Sequence, residues 1–225
     1  MNYLRYVKVI GTMHVSPKSR EEVIRTILEE RPTAIAVELD RARFLAMTEN
    51  VSLSVGDALR LGRKGLINYA LAKVEERLGE TFGMAPGGEM MGAIETARAL
   101  GVPLYLIDED INLILAKLSR APLREKLLLA LEGLSVFLPL RSEMGNPLEE
   151  YRWMMLEFRR RYPYLYRVLV EERNEIMARN LRAIVDSLLS AGVKKPRVIA
   201  VVGLGHKAGI ERLLEEGTAR IHFQF

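Results

Sequence analysis

Two apolar runs, one near each end of the chain, lead into a glycine and then a histidine, and this pairing limits the folds open to the sequence. Val198-Ile199-Ala200-Val201-Val202-Gly203-Leu204-Gly205-His206 reads as a strand running into a glycine turn, and Tyr6-Val7-Lys8-Val9-Ile10-Gly11-Thr12-Met13-His14 repeats the pattern. Continuous apolar strands belong to parallel sheets covered on both faces by helices. Open sheets of that kind carry their ligand sites at the carboxyl ends of the strands. Both Gly-x-x-His turns are therefore expected at one sheet edge.

The segments between them support the same class. A first strand is expected over residues 4 to 10. Pro17 suits a first helical position, Ser19 and Glu22 have capping-box spacing, and Val23, Ile24, Ile27 and Leu28 recur at helical period until Pro32. Ala34 to Asp40 is a second apolar strand that ends in acid, with Glu38 at its close. Residues 41 to 77 follow a helical pattern. The stretch from Gly79 to Gly92 is dense in glycine and reads as a permissive loop carrying Glu89. A helix through Ile94, Ala97 and Leu100 stops at Gly101, and Val102 to Asp108 forms a third strand. Residues 111 to 190 are helical in pattern, with breaks at Pro122, Pro139, Gly145-Asn146-Pro147 and Pro163.

The expected fold is α/β, a mostly parallel sheet flanked by helices, with an inserted helical layer between the third and fourth strands. Residues 1–225 read as a single domain, and 111–170 as a helical cap or interface within it. Val168 to Leu189 returns the chain to the sheet. Residues 219 to 223, with His222, can add a short last strand.

Composition narrows the chemistry. No cysteine is present, so a metal has only His, Asp, Glu and water to hold it. A net charge of +4 and a pI near 9.3 fall short of the basic stripe that nucleic-acid binding requires. The first six residues lack the apolar core and cleavage site of a secretion signal, which leads to an expectation of a cytoplasmic protein. The most apolar window, Leu127 to Leu140, is interrupted by Glu132 and Gly133 and is too short to span a bilayer, so no transmembrane segment is expected.

Two histidines and a strand-end carboxylate, His14, His206 and Glu38, form a minimal site for Zn, Mn, Fe or Co with a position open to water. Glu89 is the candidate base or further ligand, and Arg43 and Arg173 are candidates to hold an oxyanion or fix the carboxylates. Plainer roles compete. Either histidine can cap a helix or sit hydrogen-bonded in a core, and Glu38 and Asp108 can cap the helices that follow them. Met154, Phe158 and the neighbouring tyrosines read first as core, and Arg159-Arg160-Arg161 as a solvated face. Gly203-x-Gly205-x-x-Ala208 matches a relaxed dinucleotide fingerprint, but too little chain follows it for the strand and acid which that motif requires.

Taken together, Gly11-Thr12-Met13-His14-Val15-Ser16, Val37-Glu38-Leu39-Asp40-x-x-Arg43, Gly87-Gly88-Glu89-Met90, Leu106-Ile107-Asp108, Glu172-Arg173-Asn174-x-x-Met177-Ala178 and Val201-Val202-Gly203-x-Gly205-His206 resemble the TraB family in order and along nearly the whole chain. That family includes proteins implicated in pheromone shutdown. It resembles more distantly the Tiki proteases, GumN, erythromycin esterase and the haem-binding ChaN. The resemblance implies an α/β fold and a site at His14, Glu38 and His206, with Glu89, Arg43, Asp108, Glu172 and Arg173 as catalytic candidates. It further implies a divalent metal (Mn, Co or Zn) and metalloprotease-like hydrolysis of a peptide or related amide. The alternative is a non-catalytic protein that sequesters a peptide, a small-molecule ligand or a cofactor such as haem in the same cleft. A homodimer is expected through the helical layer. The chain departs from the family pattern in Asp108-Glu109, where Asp-Arg is common, and in Asn174, where Asp is common.

Overall fold

The computed structural model describes residues 1–12, 17–49, 88–135 and 147–216. A single 3-10 turn, Tyr3–Arg5, leads into β1 (Val7–Thr12), followed by α1 (Pro17–Glu30), β2 (Ala34–Val37) and α2 (Arg41–Glu49). After residue 87 come α3 (Gly88–Leu100), β3 (Leu104–Leu106), α4 (Ile111–Ser119), α5 (Leu123–Ser135), α6 (Pro147–Arg161) and α7 (Pro163–Tyr166). A π-helical stretch, Arg167–Glu171, continues directly into α8 (Glu172–Ser190), then β4 (Val198–Gly203) and α9 (Leu204–Glu216).

The fold is α/β. The four strands among the described residues are parallel in the order β1-β4-β2-β3, so β4 lies between β1 and β2. The register pairs Val7 with Val198 and Thr12 with Gly203, Ala34 with Val198, and Ile35 with Leu104. Alternate residues of the buried strands feed two cores. On one face Val7, Val9, Ala200 and Val202 pack with Met177, Leu181 and Val185 of α8 and Ile210 and Leu214 of α9. On the other, Ile35, Val37, Ile199 and Val201 pack with Val23 and Ile27 of α1 and Ala93 and Ile94 of α3. A fully buried Leu such as Leu181 contributes enough that truncation to Ala would cost about 2–5 kcal/mol.

This arrangement creates a switch point. β1 and β4 are neighbours, yet the helix after β1 covers one face and the helix after β4 covers the other. A crevice opens where adjacent parallel strands part company in this way.

Several expectations are corrected. The first strand begins at Val7, later than residue 4, because Tyr3–Arg5 coils. Helix α1 starts at Pro17, so Ser19 lies inside the helix and is not its cap. The third strand is confined to Leu104–Leu106. No glycine turn separates β4 from α9: Gly203 is the last strand residue and Gly205 is helical. Residues 50–87 and 217–225, with the helical pattern after Glu49 and the strand around His222, lie outside the described residues.

The chain divides into two compact units, residues 1–111 with 174–225, and residues 112–173. In the second, Glu125 is buried and accepts backbone hydrogen bonds from Tyr164 at 3.1 Å and Leu165 at 3.0 Å, capping the first turn of α7 behind Pro163. Phe158 stacks against Tyr162 and Tyr166 with ring centroids 5.8 Å apart in both pairs. Among the described residues no helix is long and apolar enough to cross a membrane.

Candidate functional site

Glu38 continues β2 by one residue, its N–H donating to the carbonyl of Val201 at 3.0 Å. Its side chain thereby turns toward the end of β4, where Oε2 accepts from the backbone N–H of Gly203 at 2.7 Å. Strand β4 passes without a loop into α9, which places His206 in the first turn of that helix. His206 Nε2 lies 3.3 Å from Glu38 Oε1, and both side chains are nearly sealed from solvent. The other ring nitrogen, Nδ1, is 2.7 Å from Asn174 Oδ1 in the first turn of α8. The imidazole is thus held between an amide oxygen and a carboxylate.

Thr12 closes β1 opposite Gly203. Its hydroxyl lies 3.3 Å from both Glu89 Oε1 and the carbonyl of Val202, and its one proton serves one acceptor at a time. Glu89 is 3 % exposed, and it sits in the first helical turn of α3, where the helix terminus favours a negative side chain. It is helical and not part of a loop. The glycines around it suggested otherwise, but Gly92 is a packing residue: a Cβ there would come within 2.9 Å of Arg20 Cγ and 3.3 Å of Ile24 Cγ1 on α1. Gly11 is explained similarly, since its Cβ would approach Lys207 of α9 at 3.0 Å.

A separate cluster lies beside this one. Asp40 caps α2 through Oδ1, which accepts from Ala42 N at 2.7 Å and Arg43 N at 3.2 Å. Arg43 forks between Asp40 Oδ2, 2.5 Å from Nε, and the fully buried Asp108 side chain, bonded to Nη2. Asp108 Oδ1 also accepts from Glu109 N at 2.8 Å. These contacts join the ends of β2 and β3.

The candidate residues therefore separate into groups. The structure brings together Glu38, His206 and, through Thr12 and Gly203, Glu89. Arg43 and Asp108 bind each other. In the second unit, Glu172 pairs with Lys117 at 2.9 Å and Arg167 at 3.4 Å, and the buried Arg173 donates to the carbonyl of Leu169 at 3.2 Å. His14 lies outside the described residues. Among the described residues no three His, Asp or Glu side chains are gathered as a metal site, so Glu38 and His206 would need a further donor.

Thr12, Asp40 and Asn174 fall within the motifs that resemble the family, Asn174 as a departure from it, but sequence reasoning gave none of them a role in the site. Asp40 carried a legible signal, an acid immediately before a helical run. Asn174 carried only a weak one, a poor helix former within a helical pattern.

The profile of the TraB/PrgY/gumN family matches residues 5–220. An uncharacterised protein of Methanocaldococcus jannaschii is 35% identical over 223 residues, covering 93% of this chain and 53% of its own length. TraB domain-containing proteins of Homo sapiens and Bos taurus are each 30% identical over 235 residues, covering 92% of this chain and 62% of their own. The chain thus spans between half and two thirds of these relatives. Its match along nearly its whole length shows that it belongs to the TraB/PrgY/gumN family.

Proposed function

We propose that the chain holds a divalent metal ion, Mn, Co or Zn, at the carboxyl ends of β1 and β4 and hydrolyses a peptide or related amide there. The reading is supported above all by the facing of His206 Nε2 and Glu38 Oε1 across 3.3 Å in a buried site. With Nδ1 turned to Asn174 Oδ1 and its proton there, Nε2 directs a lone pair at a carboxylate. A ring nitrogen and a carboxylate oxygen facing each other away from water are donor types that a divalent cation takes. His14 is the third ligand in this reading. Its assignment rests on the sequence resemblance, since His14 lies outside the described residues.

Bound there, the metal would lower the pKa of a coordinated water and polarise the scissile carbonyl. The protein's own residues do the rest. Gly203 N–H fixes the Glu38 carboxylate, Asn174 orients the His206 ring, and Thr12 donates to Glu89, which acts as the base for the water. The peptide or amide class of substrate, and a compartment in the cytoplasm, rest on the sequence reading.

The test is metal content and thermal stability with added Mn, Co or Zn, wild type beside His14→Ala, Glu38→Ala and His206→Ala. At one hundred times Kd a single site stabilises by about 2.7 kcal/mol. Wild type should bind one equivalent and show that gain, and all three variants should lose both. Absence of binding by wild type under every condition would remove the hydrolase reading and leave the cleft as a binding site for an organic ligand.

A further inference from the structure

We infer that Asn174 is the positioning residue of this site, holding the His206 ring proton on Nδ1, and that residue 209 is glycine because the Asn174 amide occupies the space of its Cβ. The inference rests on the proposed reading only in taking Nε2 as the working nitrogen. A Cβ at Gly209 would lie 3.0 Å from Asn174 Cγ and closer still to its amide nitrogen, an approach real Cβ atoms do not make. Glycine inside a helix is less favourable than alanine, and Gly209 is well inside α9, so a reason for it is needed. Asn174, itself a poor helix former, is 6 % exposed at the start of α8. Both helices cover the same sheet face, and the amide fits between them with its oxygen 2.7 Å from Nδ1.

The two orientations of that amide have opposite consequences. With Oδ1 toward the ring, Nδ1 carries the proton and Nε2 offers its lone pair to the side where Glu38 waits. With the amide reversed, its NH2 would donate to Nδ1, and the ring proton would move to Nε2 and bond Glu38 Oε1 directly. That second arrangement is a direct hydrogen bond from the neutral ring to the carboxylate, with the ring's lone pair turned away from Glu38. Glu38 cannot adjust freely, because Gly203 N–H holds its other oxygen at 2.7 Å. The amide therefore sets whether Nε2 meets Glu38 as a donor or as an acceptor, a role outer partners of ligating histidines commonly fill.

The experiment is nitrogen-15 NMR of the His206 ring in metal-free protein, at a pH where the ring is neutral, with the signal assigned by its loss in His206→Gln. Wild type and Asn174→Asp, which keeps an acceptor, are expected to carry the proton on Nδ1. Asn174→Leu and Gly209→Ala, which remove or displace the acceptor, are expected to move it to Nε2. An Nε2-protonated ring in wild type, or a proton that stays on Nδ1 in both disrupted variants, overturns the inference. If Asn174→Leu fails to fold, Gly209→Ala and Asn174→Asp decide. Titration with Co2+ alone gives a second readout: Asn174→Leu should bind 10- to 100-fold more weakly, about the loss seen for outer partners of ligating histidines, and Asn174→Asp within a few fold of wild type. A wild-type ring protonated on Nδ1 in a protein that binds no Co2+ supports this inference and removes the metal reading, so the two failures are distinguishable.

Discussion

Arg43 clamps Asp108 against the capping carboxylate of Asp40, so one guanidinium ties the start of α2 to the end of β3. The Asp108 side chain is fully buried and that of Arg43 is 15% exposed. Removing one member of such a pair leaves an uncompensated charge away from water, at a cost of about 3–5 kcal/mol. Arg43→Met is expected to destabilise by roughly that amount in urea unfolding. Asp40→Ala should cost less, about 1–2 kcal/mol for the lost cap, with part of the ion pair in addition. An Arg43→Met protein as stable as wild type would show that the clamp contributes nothing and would return Arg43 to the anion-binding role.

Gly92 gives a second prediction because two effects oppose each other there. Alanine gains about 1 kcal/mol of helix propensity over glycine. Its Cβ would press on Arg20 Cγ at 2.9 Å, and the Arg20 side chain, half exposed and paired with Glu95 at 2.6 Å, can shift. Gly92→Ala should therefore fall within about 1 kcal/mol of wild type, whereas Gly92→Leu, which would also collide with Ile24, should lose about 1–3 kcal/mol as an overpacked contact. Thermal unfolding of the two variants measures both. A neutral leucine would mean that α1 and α3 are not in close contact at this point.

These cases show what could be read in advance. The strands with runs such as Val198 to Val202 were legible, since a strand buried on both faces has no polar alternation to confuse it. The meeting of Glu38 with His206 was legible too, because both stand at the end of apolar runs and parallel strands end at one edge. Glycine was misleading. Gly203, Gly205 and Gly92 looked like turn punctuation, but Gly203 ends a strand, Gly205 is helical, and Gly92 packs against Arg20 and Ile24, neighbours distant in sequence. For the same reason Asn174 and Gly209 could not be connected: their contact exists only once α8 and α9 lie on one sheet face. The Arg43–Asp108 pairing was anticipated only as one of two roles, and the sheet order decided it.

A pH effect follows from Lys8 and Glu30, which link β1 to α1 at 2.6 Å. The hydrogen bond from Lys8, then its charge, hold the Glu30 carboxyl below its ordinary range. A folded-state value below the unfolded one means that the pair's contribution is present above the unfolded value and is lost as pH falls through the folded one. The pair is exposed, so the contribution is small. Wild type should exceed Lys8→Met in stability at neutral pH, with the difference vanishing in acid, and NMR titration should show the Glu30 carboxyl returning upward in the variant. An unmoved Glu30 titration would show that the contact is not kept in solution.

Self-association through the helical layer is best tested at its exposed apolar residues. Phe158 is 5% exposed within its aromatic cluster, and a polar replacement there would unfold the unit instead of reporting on assembly. Trp153 and Leu156 are 56% and 66% exposed on α6. If copies of the chain meet on this face, Trp153→Ser with Leu156→Ser should convert a dimer to a monomer in sedimentation velocity without loss of helix content. Because Trp153 is the one tryptophan in the sequence, its emission should also shift to the red as a dimer is diluted. An unchanged mass in the double variant removes this face from consideration.

Glu89 separates the hydrolase from the binder. A base acts in the transition state and adds little to ground-state binding, so its loss should lower turnover and leave affinity largely intact. Glu89→Gln keeps the shape and a hydrogen-bond acceptor for Thr12, so the stability change should stay within about 1 kcal/mol. Metal affinity should hold within a few fold, since Glu38, His206 and His14 are the proposed ligands. Hydrolysis of whichever peptide is found by mass-spectrometric screening should fall by about 10²- to 10⁴-fold. Thr12→Val should give a milder loss of the same kind, because the hydroxyl acts through Glu89, 3.3 Å away. A Glu89→Gln protein with undiminished turnover would assign the base elsewhere. A wild type that binds peptide without cleaving it, matched by Glu89→Gln at equal affinity, would establish the sequestering alternative.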